Sequence, residues 1–181
     1  IQNWKNELKS YREGALSLNV AAQVALVTMY CDAGDPLSSE EYVIDLFREF
    51  DEGNISTPPD TILCNMVLNA WAKEKNGLRA AAFFNERINE PDAVSYNTVI
   101  NAFAKQGQIE KAEEWASALI DSFVKNPVES LRPQQSTFTV ILAGWRRSEH
   151  PDAAERAHKR SYSQSGSLTR QQLQQRVMSS H

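Results

Sequence analysis

Pro91-Asp92-Ala93-Val94-Ser95-Tyr96-Asn97-Thr98-Val99-Ile100-Asn101-Ala102-Phe103-Ala104-Lys105 is a second printing of Pro59-Asp60-Thr61-Ile62-Leu63-Cys64-Asn65-Met66-Val67-Leu68-Asn69-Ala70-Trp71-Ala72-Lys73, with Pro, Asp, Asn, Asn, Ala, Ala and Lys at matching places. A third copy is residues 133–147, and a fourth, weaker one is residues 20–32, matched mainly through Leu26, Val27, Tyr30 and, just beyond, Gly34. Equivalent starts at Val20, Thr61, Ala93 and Gln135 lie 41, 32 and 42 residues apart. The extra residues collect at 54–58 and 125–131, where Pro, Ser and Asn gather, so they read as loop insertions between intact units.

Within each unit the apolar spacing is helical. Ile62, Val67, Leu68 and Trp71 follow i, i+3, i+4 relations, as do Val94, Val99, Ile100 and Phe103, and each run breaks at a glycine, Gly77 or Gly107. A second helix is predicted over residues 78–88 in one unit and 109–123 in the next, the latter with Ala112, Trp115, Ala116, Leu119 and Ile120 on one stripe. Ala70, Ala80, Ala102, Ala112 and Ala154 permit close approach of helices. A single pair of this size cannot bury its apolar face, whereas pairs stacked in register can. The expected fold is therefore all-α: a curved α-solenoid of stacked antiparallel helix pairs, whose first helices form one continuous wall. The array is expected over 19–163, with 1–18 a partial preceding repeat or capping helix and 164–181 a polar tail or capping helix.

Asp60 and Asp92 each follow a proline and precede an apolar run, as N-caps do; the carboxylate accepts from first-turn amides and suits the positive end of the helix dipole. Gln134 stands at that place in the third copy and is a poor cap. Trp71, Phe103 and Trp145 recur at one register beside Leu68, Ile100 and Leu142, which reads as core rather than as platforms for stacking. Cys31 and Cys64 read as small buried hydrophobes. Glu110, Glu113 and Glu114 read, with Lys111, as a solvated helix face.

Composition bounds the function. The chain has 181 residues, 41% hydrophobic and 23% charged, the make-up of an ordinary globular protein. Its most apolar run, residues 20–30, is far short of the roughly 20 residues a membrane span needs, so no membrane partner is expected. Two cysteines suggest a reducing compartment, which makes the sequon Asn54-Ile55-Ser56 a chance match. The chain begins at Ile1 without a charged segment and an apolar segment behind it, and any targeting segment is expected to lie upstream. Net charge is −4, unevenly spread: residues 144–181 carry Arg146, Arg147, Arg156, Lys159, Arg160, Arg170 and Arg176 against Glu149, Asp152 and Glu155, leaving the remainder at −8. Bulk charge cannot carry nucleic-acid binding here, although the basic segment reads either as a phosphate contact or as a solvated face and tail. His150 and His158 have no companions at metal spacing. With no Ser-His-Asp set, no phosphate-cradling Gly-rich loop and no carboxylate cluster, no enzyme, metal, cofactor or small-molecule substrate is expected.

Residues 91–113, with the Tyr-Asn-Thr-hydrophobic-Ile core, the Lys-x-Gly turn and the hydrophobic-x-x-Ala that follows, resemble a pentatricopeptide repeat. The copies at Pro59 and Pro133 are similar but degenerate, and the likeness extends over residues 20–161. The resemblance implies a right-handed superhelix of the tetratricopeptide kind that binds single-stranded RNA in a mitochondrion or plastid, in RNA processing, stability or translation, with one base addressed per repeat. It also implies that Asn65 with Asp92, and Asn97 with Gln134, read base edges, that Thr139 opens a third pair, and that Ile62 and Val94 sandwich bases; Ser136 departs from that pattern. Asn65 with Asp92 matches the family combination favouring uracil, and Asn97 with Gln134 matches no common one. Val24 at the reader position of the first unit cannot hydrogen-bond a base.

An asparagine inside a first helical turn is unfavourable by propensity, so its recurrence needs a reason. Base reading is one; a local cap or a bond to the neighbouring unit is another. The rival function is a protein-interaction scaffold, with protein partners on the concave face, which the uneven spacing and the acidic balance favour.

Overall fold

A computed structural model describes residues 20–147. Among the described residues seven α-helices follow one another: α1 (Val20–Asp32), α2 (Pro36–Asp51), α3 (Thr61–Lys73), α4 (Gly77–Arg87), α5 (Ala93–Gln106), α6 (Ile109–Lys125) and α7 (Gln135–Arg147). A short 3-10 helix, Glu129–Leu131, lies in the connection before α7. The fold is the α-solenoid of stacked pairs that the repeat demands. The partial repeat or capping helix expected at 1–18, the segment after Arg147 with most of its basic residues, His150 and His158, and the polar tail or capping helix expected at 164–181 lie outside the described residues.

Each boundary has a local cause. Asp35 accepts from Ser38 N at 3.1 Å with Pro36 opening α2, Asp60 accepts from Leu63 N at 2.9 Å, and Asn76 accepts from Arg79 N at 3.0 Å. Asp92 and Ser95 form a reciprocal capping box. The Gln134 carbonyl accepts from Thr137 N, and the Gln134 side chain accepts from the Ser136 hydroxyl at 3.5 Å. Gly107 ends α5 at φ +83°, a left-handed conformation that a side chain would make costly. The cap at Asn76 starts α4 one residue earlier than the apolar stripe suggests, and α6 runs two residues past Phe123.

The first helices α1, α3, α5 and α7 pack side by side, each against the next. The second helices α4 and α6 meet instead through large rings: Phe84 and Trp115 stand 4.9 Å apart centre to centre, and both touch Tyr96 of α5, while α2 meets α4 through the Glu40–Arg79 ion pair. Backbones held close on one side and spread by aromatic wedges on the other make the stack curve. The first helices therefore line the inner wall. Phe103 and Trp145 are buried in the core, as expected, while Trp71 is half-buried.

One correction concerns an acid, and a second acid plays the same part. Glu113 is not on a solvated face: it is half-buried and accepts from Trp145 Nε1 at 2.7 Å. Glu40, 1% exposed, does the same for Trp71 Nε1 at 2.7 Å and also takes the Arg79 guanidinium. In both cases the indole of a first helix reaches the fifth residue of the preceding second helix, so these tryptophans join consecutive pairs rather than filling one. Where Phe103, which has no N–H, takes the tryptophan's place, the fifth residue of α4 is Ala81. Cys64 is buried, but Cys31 is only half-buried, its Sγ 3.6 Å from the Met66 carbonyl.

Candidate nucleic-acid interface

The second and fifth residues of a helix are three apart and share a face. On α3 these are Ile62 and Asn65, and on α5 they are Val94 and Asn97. Ile62 is 64% exposed and Val94 53%, large apolar side chains with no core to fill. Asn65 and Asn97 beside them are half-buried.

Asn65 and Asp92, 27 residues apart, are brought into direct contact: Asn65 Nδ2 donates to Asp92 Oδ1 at 3.3 Å. Ser95, fully buried, completes the cluster, its hydroxyl 2.7 Å from Asn65 Oδ1 and 2.9 Å from Asp92 Oδ1. Asp92 thus caps α5 and holds the neighbouring asparagine at once. Of the readings of Asn65, the bond to the neighbouring unit is present: its amide nitrogen and oxygen both bond across units.

Asn97 and Gln134 stand around a cavity of about 310 Å³ between α5 and α7, with Val94, Asn69, Asn101 and Ser136 also in its lining. The volume is at the small end of the range for ligand sites. Thr137 Oγ1 donates to Asn97 Oδ1 at 2.6 Å. Thr139 is exposed and its hydroxyl turns back onto the Gln135 carbonyl at 3.0 Å; its partner residue in the next unit lies outside the described residues.

One set of residues was present in the sequence as a periodic signal and needed the helices to become visible. Four and eight residues beyond Asn65, Asn97 and Thr139, on the same face, are Asn69 and Lys73 on α3, Asn101 and Lys105 on α5, and Ala143 and Arg147 on α7. α3 and α5 therefore each carry a polar stripe ending in an exposed cation, and α7 ends in an exposed cation at the same place. Lys75, Lys105 and Arg147 also line a second cavity of about 430 Å³ at that end of α5 and α7. On α1 the same register reads Val24, Thr28, Asp32, with neither amide nor cation.

Among the described residues no helix is long and apolar enough to cross a membrane, and no cluster of His, Cys, Asp and Glu is placed to hold a metal ion. Residues 90–114 match the family described as the PPR repeat. That stretch is similar to a pentatricopeptide repeat. It comprises α5, its cap Asp92, and the opening of α6. The fold is similar to the crystal structure of the pentatricopeptide repeat protein PPR10 from maize, with a TM-score of 0.66 and 16% identity over 98% of this chain and 23% of that one. It is also similar to PPR10 in complex with an 18-nt psaJ RNA element, and to a C256S/C430S/C449S form of that complex; in each the TM-score is 0.56 and the identity 24%, over 76% of this chain and 19% of that one. The chain thus spans about a fifth of the length of these solved structures. None of the curated proteins matches it.

Proposed function

We propose that this chain is a noncatalytic binder of single-stranded RNA, part of a pentatricopeptide repeat array acting in organellar RNA processing, stability or translation. The observation that carries the reading is the junction of Asn65 with Asp92: donor and acceptor groups from two consecutive repeats meet on the inner wall, next to exposed Ile62 and Val94. Amide and carboxylate together match the mixed donor and acceptor edge of an unstacked base, and the aliphatic side chains offer its faces a dry surface. Asn97 and Gln134 offer a second base the cavity between α5 and α7, and Lys73, Lys105 and Arg147 offer the phosphates a row of cations at one end of the groove. The first unit, with Val24 at the reader position and Asp32 at the end of its stripe, contributes no contact.

The test is fluorescence anisotropy with a random single-stranded RNA pool and matched DNA at two salt concentrations, for the wild type and Asn65→Ala/Asn97→Ala. RNA preference that the double variant loses while keeping its helical circular dichroism supports the reading. Equal, steeply salt-dependent binding by both proteins leaves only phosphate contacts. Absence of binding, together with capture of a specific protein on the inner wall, favours the scaffold.

A further inference from the structure

Readers at the fifth position of a first helix have a matching residue at the third position of the next first helix. Asn65 faces Ser95 and Asn97 faces Thr137, each through a hydrogen bond, and both hydroxyls are buried. Where the reader is Val24, the third residue of α3 is Leu63, apolar and buried. Amide goes with hydroxyl and aliphatic with aliphatic, although the paired residues are 30 to 40 positions apart.

The chemistry at the first junction is directional. A carboxylate only accepts, so the Asn65 nitrogen turns to Asp92 Oδ1, and its oxygen turns to the Ser95 hydroxyl at 2.7 Å. A flipped amide would set oxygen against the Asp92 carboxylate at that same 3.3 Å separation. At the second junction Gln134 replaces the acid, and the Asn97 oxygen is anchored by Thr137 alone, at 2.6 Å. We infer that Ser95 and Thr137 are positioning residues for RNA recognition: each hydroxyl holds the carbonyl oxygen of the preceding unit's asparagine inward, so that the asparagine presents an N–H donor to the groove and selects bases whose edges carry carbonyl oxygens. The inference deepens the proposed RNA reading and rests on it. An N–H donor suits uracil, whose Watson–Crick edge carries two carbonyls, better than adenine, whose edge sets a single ring-nitrogen acceptor beside a donor amine. Because Asn65 has two anchors and Asn97 one, loss of the hydroxyl acts more strongly at Asn97.

Thr137→Val keeps shape and volume and removes only the hydroxyl; Thr137→Ser keeps the hydroxyl. Two measurements on the full chain separate the outcomes. In the free protein, the Asn97 side-chain amide, assigned with Asn97→Ala, gives two well-separated proton resonances by NMR in the wild type and Thr137→Ser, and these move toward solvent-exposed positions in Thr137→Val. With labelled oligouridylate and oligoadenylate, Thr137→Val loses about fivefold of the uridylate preference, the size of one hydrogen bond, while Thr137→Ser retains it. Unchanged amide resonances in Thr137→Val, or an unchanged uridylate preference in a protein where Asn97→Ala abolishes it, overturn the positioning role. Equal binding of both oligonucleotides by wild type and Asn65→Ala/Asn97→Ala overturns the RNA reading itself, and the free-protein resonances then report the anchor separately.

Discussion

Replacing Glu40 by alanine should loosen one end of the array and leave the other intact. Glu40 is 1% exposed and accepts from Trp71 Nε1 and from the Arg79 guanidinium, joining α2 to α3 and α4. Losing the acceptor for a half-buried indole N–H costs about 1–3 kcal/mol. The arginine adds less, about 0.5–1 kcal/mol, because its side chain is 41% exposed and recovers water when the acid is gone. The expected loss is about 3 kcal/mol, whereas Glu40→Gln, which still offers Trp71 an oxygen, loses about 1 kcal/mol. In a solenoid each unit touches only its neighbours, so the damage stays local. Hydrogen–deuterium exchange should show faster exchange in α1 and α2 for Glu40→Ala, with α5 to α7 protected as in the wild type. Equal deprotection of all the helices, or identical behaviour of the alanine and glutamine variants, would refute the idea that this acid bolts the first two units together.

Other perturbations test other parts of the fold. Gly77→Ala should destabilise the protein by about 1–3 kcal/mol in thermal unfolding despite alanine's better helix propensity, since a Cβ there meets the buried Phe103 ring at 2.5 Å. Asp92→Ala should lose about 1–2 kcal/mol with the cap of α5, and Asp92→Asn, which caps as well, should unfold close to the wild type in urea. Burial pushes the Cys64 thiol up to about 12 from 9.0, so the folded chain keeps a proton that the unfolded chain releases. That contribution is complete below pH 9 and falls away as pH rises toward 12, by about 1 kcal/mol per pH unit; comparison of urea unfolding at pH 8 and pH 10 should show the slope in the wild type and its absence in Cys64→Ala.

The parts of this structure legible in the sequence are those set by short-range rules. Caps at Asp60 and Asp92, the stop at Gly107 and the apolar stripes of α3 and α5 depend on residues within one or two turns, and each stands where its pattern placed it. Contacts between units follow a longer rule. Glu113 looks solvated beside Glu110 and Glu114 until Trp145, 32 residues on, is laid across it, and Glu40 carries no local sign of its two partners. The Trp–Glu and Phe–Ala exchange was nevertheless encoded, as was the stripe from Asn65 through Asn69 to Lys73; both emerge once the second helices are aligned in the same register as the first. At the candidate site, the meeting of Asn65 with Asp92 follows from the repeat. The buried hydroxyls of Ser95 and Thr137 do not, because serine and threonine near a helix start read first as capping residues.

The central claim is that the inner wall of first helices receives RNA through Asn65 and Asn97. Titration of the isotope-labelled chain with oligouridylate, followed by NMR, addresses it residue by residue. The side-chain amides of Asn65 and Asn97 and the backbone amides of α3 and α5 around Ile62 and Val94 should shift first and most, with α2, α4 and α6 unmoved. Shifts confined to the second helices, or to residues after Arg147, would contradict it.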